Sequence, residues 1–553
     1  MKKQTKHAWG SIGVLIRPYL GAVIGLNVLT VFHSLAQVAL AIVTKYVIDA
    51  AISGNGKLLE WGIGLAGVLL ALLVSQLLSS WVAGNTTDHC VADMRKALLT
   101  AANNCTEPQL NAYHSGALLS RGMEDVHTVC DGFVLALPSI TGQITRLVGA
   151  FGAIVLLYPR IAPLLLVACV CVVGMTAAVR PLMRRKHRLV REKDEQMMST
   201  LQENLQQLEL VQSLQMEQQS LHRFGQRVRS SLAERRNRRI VTVGVSGSLS
   251  LISQLGTGVL LIWGAVQVAD HRISYGALTA LLELLAMLRS PVVGLSGMWN
   301  RFAAIEVAAE RLLELLDQQQ KPVEPVDVDR VKAVVFEGVS FHYPGDETPV
   351  LEKFSARFPL DNWACLTGIS GKGKSTVFKL ILGLYAPQDG RVYLETDQDQ
   401  IPCGRATRHL FSYVPQDYSL FSGTVLENLQ MVDPDADENK CRDALGIAQA
   451  DFVWDMSAGV QTVIRENNTG LSKGQLQRLA IARAVLMDRP ILLLDECTSA
   501  LDAQTEAKLL GALTALNKQA ILVTHRTEAL RDLDGITMVD MEKGALQTTE
   551  NLR

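Results

Sequence analysis

The sequence predicts two folds in one chain: an all-α membrane domain of six helices with long cytoplasmic helical extensions, then an α/β domain built around a phosphate-binding loop. Three observations lead there. Of 553 residues, 48% are hydrophobic and only 19% charged, with a mean hydropathy of +0.18, too apolar for a typical soluble protein of this length. The first half carries apolar runs long enough to cross a hydrocarbon core of about 30 Å, which takes about 20 helical residues. Beyond residue 330 short apolar strands alternate with helical segments, the pattern of a mainly parallel sheet. A chain this long exceeds one ordinary core, and the expected parts are a membrane domain over 1–316, a linker over 317–330 and an α/β domain over 331–553.

The six expected spans are 14–52, 58–83, 133–158, 161–181, 240–269 and 276–299. Basic residues crowd one side of them: Arg184, Arg185, Lys186, Arg188 and Arg191 follow the fourth span, and Arg235, Arg236, Arg238 and Arg239 precede the fifth. That side is expected to be cytoplasmic, with both termini on it, in a cell (plasma or inner) membrane. No short apolar run ends in a small-residue cleavage site, so no cleavable signal is expected. The nine cysteines form no CxxC pair and no zinc-like spacing, so they read as reduced thiols. A formal net charge of −1 supplies no basic excess for a nucleic-acid partner.

Two polar, helix-compatible excursions, 85–131 and 183–239, are expected on the cytoplasmic side, their tips near 108–115 and 206–215 forming short transverse helices against the α/β domain. Leu201, Leu205, Leu208, Val211 and Leu214 recur at helical spacing, a stripe expected to pack between neighbouring helices. Ionisable groups inside spans cost about 2.5–3.5 kcal/mol each at the bilayer centre on insertion scales. Arg146, Glu283 and Arg289 stand out on that ground, His33 and Lys45 less so. Each either faces a water-filled substrate pathway or snorkels and pairs structurally.

The α/β half is organised around Gly368-Ile369-Ser370-Gly371-Lys372-Gly373-Lys374-Ser375-Thr376, between an apolar strand and a helix. Glycines let successive N–H groups turn toward phosphate oxygens, and the helix N-terminus adds its partial positive charge. Lys374 suits the β and γ phosphates and Ser375 suits Mg²⁺. Tyr343 ends an alternating strand and offers a ring to an adenine base; a lone tyrosine would more often be core or surface. Gln416 follows the strand 411–414 and can reach Mg²⁺ or a water. The run Ile491–Leu494 delivers Asp495, suited to Mg²⁺, and Glu496, suited to polarising water for attack on a γ phosphate. Burying two unpaired acids without such a use is expensive. His525 closes a further strand, at an edge where it contacts a γ phosphate or is an ordinary surface residue.

The last piece is Leu471-Ser472-Lys473-Gly474-Gln475 followed by an apolar helix. With it the chain resembles, over nearly its whole length, an exporter-type ABC transporter in half-transporter form, six membrane helices fused to one ATP-binding domain. The resemblance implies ATP and Mg²⁺ as ligands, with a phosphate loop at Gly368–Thr376, an adenine-stacking Tyr343 and a glutamine loop at Gln416. It implies a signature at Ser472, Gly474 and Gln475, a metal aspartate Asp495, a base Glu496, a D-loop ending in Asp502 and a switch histidine His525. It also implies a dimer in which each ATP lies between one subunit's phosphate loop and the other's signature.

Two departures from the family pattern stand out. Lys473 occupies the place of the signature's second glycine, and the stretch 465–470 keeps Glu466 without the usual glycines. Lys473 is either tolerated, its charge holding phosphate, or the mark of a weakened signature over a partner's degenerate site. A homodimer is preferred to a heterodimer with a second half-transporter. The N-terminal extension is too short for a leader peptidase domain. The expected function is an ATP-driven export pump for an amphipathic small molecule, lipid or peptide, working by alternating access. The alternatives are an exporter-fold importer of a small molecule or metal chelate, and a non-transport ABC ATPase, against which the six spans argue.

Overall fold

The computed structural model describes residues 16–54, 56–111, 113, 115–320, 323–328, 330–346, 348–368, 373–418, 420–465, 470–526, 536–541 and 546–548. It divides into two units, Met1–Ala101 with Ser115–Asp317, and Ala102–His114 with Gln318–Arg553.

The first unit is all helix. Its long elements are α1 (Leu20–Ser53), α2 (Leu58–Asn104), α4 (Leu137–Leu157), α5 (Ala162–Gln206), α7 (Glu217–Ala269) and α8 (Tyr275–Gln318). The short α3 (Glu107–Asn111) falls in the second unit, and α6 (Leu208–Ser213) lies between α5 and α7. Helices satisfy every backbone group internally, which a lipid environment demands. Four of the helical stretches, Arg17–Ser53, Leu58–Asn104, Leu118–Leu157 and Glu217–Ala269, are long and apolar enough to cross a membrane among the described residues. The fourth and sixth expected spans fall on α5 and α8. At 53 residues α7 is about 80 Å long at 1.5 Å per residue, far more than a bilayer needs.

Small residues set how α1 meets α4. A Cβ on Gly142 would lie 2.4 Å from Thr30 Cγ2, so the two backbones approach where only glycine fits. Ser34 Oγ donates to the Gly142 carbonyl at 3.0 Å, and Thr141 Oγ1 to Asn27 Oδ1 at 2.7 Å. Before α4 the chain passes through two π-helical turns, Arg121–Asp125 and Gly132–Ala136. They turn Arg121 toward the end of α8, where it donates to the Arg311 carbonyl at 2.8 Å and to Glu314 at 2.9 Å.

The leucine stripe departs from expectation. Leu205, Leu208 and Leu214 are 63%, 49% and 57% exposed while Leu201 and Val211 are half-buried, so among the described residues three of the five do not pack between neighbouring helices. The helix breaks at Gln207, which is non-helical, and α6 starts after it, so the regular helical spacing does not continue through the stripe.

The second unit holds two main sheets where a single mainly parallel one was expected. The six-stranded sheet runs β12-β11-β3-β10-β9-β6, formed by β3 (Ala364–Thr367), β6 (Phe411–Val414), β9 (Ile491–Asp495), β10 (Gln519–Val523), β11 (Thr537–Asp540) and β12 (Leu546–Thr548). It is parallel except at the β12 edge. The second sheet, β2-β1-β4-β5, is antiparallel and comprises β1 (Ala333–Phe341), β2 (Leu351–Pro359), β4 (Asp389–Glu395) and β5 (Gln400–Pro402). A small pair joins β7 (Gly423–Thr424) to β8 (Val463–Ile464).

One core packs α9 (Lys374–Ile381) through Val377, Phe378 and Ile381 against Phe336, Phe341 and Phe358 of the antiparallel sheet. A second core joins β6 and β9 to α12 (Lys473–Leu486), with α10 (Val425–Gln430), α11 (Glu438–Ile447) and α13 (Ala503–Thr514) around it. The described cysteines are all free.

Candidate ATP site at the ends of the parallel strands

Sheet register brings the candidate residues together. Val523 of β10 pairs with Asp495 of β9, Val414 of β6 with Leu494, and Val523 with Leu366 of β3. The residues just past these strands therefore meet at one carboxyl edge, the place where open α/β sheets bind ligands. Gln416 Nε2 donates to Glu496 Oε2 at 2.9 Å, and His525 Nε2 lies 3.1 Å from Glu496 Oε1. Lys374 Nζ donates to the Gly368 carbonyl at 2.8 Å and sits 3.1 Å from His525 Nε2.

Gly373 caps α9 with φ +94°, and a Cβ there would meet Val350 Cγ1 at 2.7 Å. Both facts require glycine at the turn. Ser375 and Thr376 follow in the first turn of α9. Ser370, Gly371 and Lys372 lie outside the described residues, as does Glu466.

Asp495 is 1% exposed, and neither of its carboxylate oxygens accepts a well-formed hydrogen bond. Burial pushes its pKa above the usual carboxylate range; the nearby Ser375 and Tyr413 hydroxyls and the Lys374 charge only partly offset this. A buried carboxylate left open in this way fits a hard cation. Burial lowers the Lys374 pKa, and Glu496 and Asp495 pull it back toward its ordinary value.

Tyr343 is half-buried. Its hydroxyl lies 2.9 Å from Thr376 Oγ1 and its ring meets Phe341 and Tyr385 edge to face. Lys379 stands 5.6 Å from the centroids of both the Tyr343 and Tyr385 rings. Its ammonium pairs with Glu107 of α3 at 3.3 Å, and Asn111 of α3 donates to the Tyr385 hydroxyl at 3.2 Å. The tip of the first polar excursion thus seats beside α9, within the second unit.

The signature residues form a helix start. Ser472 Oγ accepts from the Gln475 N–H at 3.2 Å, and Gln475 Oε1 accepts from the Ser472 N–H at 2.8 Å, a capping box. Lys473 is the first residue of α12 and exposed. A Cβ on Gly474 would lie 3.0 Å from the Ala500 carbonyl. Asp502 caps α13, accepting from the Thr505 N–H at 2.9 Å and its hydroxyl at 2.8 Å. These bonds hold its pKa below the usual carboxylate range.

In the first unit, Arg146 Nε and Glu283 Oε2 are buried without hydrogen-bond partners, and neither residue joins an ion pair among those described. His33 bonds to Ser75 at 2.9 Å and Gln37 at 3.2 Å. The side chain of Arg289 lies outside the described residues. Sequence reasoning passed over Tyr418 and Gln477, both of which reach the backbone of Glu496. Their signal was slight: a tyrosine two residues past Gln416, and a glutamine on an otherwise apolar helix face.

The family model for the ABC transporter transmembrane region matches residues 23–292, and the ABC transporter family model matches residues 351–499. The chain is 28% identical over 542 residues to the ATP-dependent lipid A-core flippase of Sodalis glossinidius, covering 95% of this chain and 92% of that one. It is 26% identical over 537 residues to the ABC transporter ATP-binding protein YknV of Bacillus subtilis, covering 95% and 89%. Its fold is similar to a bacterial Atm1-family ABC exporter with ATP bound, at TM-score 0.79 and 21% identity over 97% of this chain and 96% of that one.

Proposed function

We propose that this chain, which belongs to the ABC transporter family and is an ATP-hydrolysing membrane transporter, exports an amphipathic small molecule, lipid or peptide from the cytoplasm by alternating access. The observation that carries the ATP-site reading is the buried Asp495, whose oxygens accept no well-formed hydrogen bond, beside the Glu496, Gln416, His525 and Lys374 cluster. Asp495, Ser375 and Gln416 would hold Mg²⁺, which when bound screens phosphate charge. Lys374 and the phosphate-loop backbone bind and orient the β and γ phosphates. Glu496 accepts a proton from the attacking water, and Gln416 and His525 fix its carboxylate from either side.

Ser472, Gly474, Gln475 and Asp502 are assigned to the composite site across a dimer, preferably of two copies of this chain. The wide exposure of Leu205, Leu208 and Leu214 supports a partner that covers them. Arg146, Glu283 and Arg289 are assigned to the substrate pathway, since ionisable groups within spans are costly and are kept for function. A relative that is by name a lipid A-core flippase favours a lipid among the three substrate classes. The ATP-binding domain and both termini are assigned to the cytoplasmic side of a plasma or inner membrane.

The test is ATP turnover by the purified chain in lipid nanodiscs beside Glu496→Gln. Steady turnover that vanishes in the variant supports a self-sufficient homodimer with Glu496 as base. Turnover that persists in the variant refutes the base assignment, and well-folded protein with no turnover, with or without candidate lipids, refutes the homodimer.

A further inference from the structure

One carbonyl at the end of β9 gathers three donors. The Tyr418 phenol donates to the Glu496 carbonyl at 2.7 Å, the Gln477 amide at 3.1 Å and the Ser499 N–H at 3.2 Å. A phenol has one proton, so with that proton on the carbonyl the Ser499 hydroxyl, 3.0 Å away, donates to Tyr418. The second proton of the Gln477 amide goes to the Tyr418 oxygen at 2.6 Å, and Gln477 Oε1 accepts from the Ala500 N–H at 3.3 Å. Gln477 is fully buried and Tyr418 is 8% exposed. Every polar atom of both side chains is engaged.

The residue they hold is strained. Glu496 has φ +49° and Tyr418 itself φ +43°, a left-handed region that bulky non-glycine residues keep only where their surroundings hold them there. The strain sits at the residue whose carboxylate lies between Gln416 and His525. Turning the Glu496 peptide would swing that carboxylate off both partners.

We propose that Tyr418 and Gln477 are positioning residues for ATP hydrolysis, clamping the Glu496 backbone in its left-handed conformation and so aiming its carboxylate at the attacking water. The clamp rests on the reading of Glu496 as the base. It also ties three segments to that carboxylate: the turn after Gln416, the helix α12 that begins at the signature, and the D-loop at Ser499 and Ala500. Displacement of α12 at its signature end then reaches the catalytic carboxylate of the same chain through Gln477.

The experiment uses the full chain in nanodiscs, measuring kcat and KM for ATP and the apparent Tm of the parent, Tyr418→Phe, Gln477→Met and the double variant. Tyr418→Phe keeps the ring and removes one hydroxyl, so kcat should fall about tenfold, the value of one well-placed hydrogen bond, with KM within about twofold. Gln477→Met should behave alike and decides the matter if Tyr418→Phe folds poorly. The double variant should fall little below the worse single one, because both hold one carbonyl. A role in stability alone would lower the Tm and leave the kcat of folded protein unchanged, and that result overturns the proposal. So does a fall in kcat matched by an equal rise in KM. Parent turnover that survives Glu496→Gln removes the base assignment and this clamp together. Turnover lost in Glu496→Gln but untouched in Tyr418→Phe and Gln477→Met removes the clamp alone.

Discussion

Asp495→Asn should make the nucleotide-free protein more heat-stable while abolishing its activity. The parent carboxylate is 1% exposed, its two oxygens accept no well-formed hydrogen bond, and the nearby Ser375 and Tyr413 hydroxyls offset its burial only in part. An uncompensated buried charge costs several kcal/mol, whereas a neutral amide in the same place costs about 1–3 kcal/mol. The difference favours the variant by about 1–3 kcal/mol, after allowing for the partial compensation that Lys374 provides. For a domain of about 200 residues this corresponds to roughly 2–12 °C in apparent Tm.

The sign follows from the direction of the shift. Burial raises the folded-state pKa of Asp495 above its unfolded value, so the stability it contributes is full in acid, below the unfolded pKa. That contribution is lost as pH rises through the folded pKa. The advantage of the variant should accordingly be largest at pH 8 and shrink as the pH is lowered into the range where Asp495 protonates. The assay is thermal unfolding in detergent or nanodiscs at both ends of that range, without nucleotide and metal, then with Mg²⁺ and ATP. Ligand should raise the parent's Tm by much more than the variant's. A variant that is less stable at pH 8 without metal would refute the reasoning, since the carboxylate would then be satisfied within the protein.

Further outcomes follow from the same contacts. Gly142→Val should push α1 from α4 and cost about 1–3 kcal/mol, because even a Cβ would meet Thr30 Cγ2 at 2.4 Å; the apparent Tm and the folded yield in detergent report it. Reversing one charge of the Lys379–Glu107 pair, 3.3 Å apart and about 30% exposed on each side, should weaken the seating of α3 by up to about 1 kcal/mol. Amide exchange over 102–114 should then quicken up to about fivefold, and the double reversal Lys379→Glu with Glu107→Lys should restore it. Lys473→Gly removes an exposed charge from the first residue of α12 and should change the Tm little. If that charge holds phosphate in a homodimer, KM for ATP rises about two- to fivefold, and an unchanged KM shows that the lysine is merely tolerated.

Sequence alone determined what depends on neighbours in the chain. The turn at Gly373, the helix carrying Lys374 and Ser375, and the apolar run ending in Asp495 and Glu496 are local, because glycine freedom and strand burial act within a few residues. Spans were legible for a similar reason, since mean hydropathy over a window is a local quantity. The tips of the two polar excursions were legible too, as short helices that became α3 and α6.

Only the tertiary structure decided what meets across long separations. Gln416, Glu496 and His525 converge because β9 lies between β6 and β10, and strand order is written in no single segment. The same register brings Tyr418 to a carbonyl 78 residues away, a contact no periodicity announces. The antiparallel sheet was hidden because its strands alternate with turns much as parallel ones alternate with helices. Leu205, Leu208 and Leu214 had the spacing of a buried stripe, yet burial requires a facing surface, and the described residues of this chain leave them exposed. Arg146 and Glu283 carry opposite charges on separate helices without pairing; an ion pair depends on helix depth and rotation, which packing at Gly142 and its neighbours sets and composition does not.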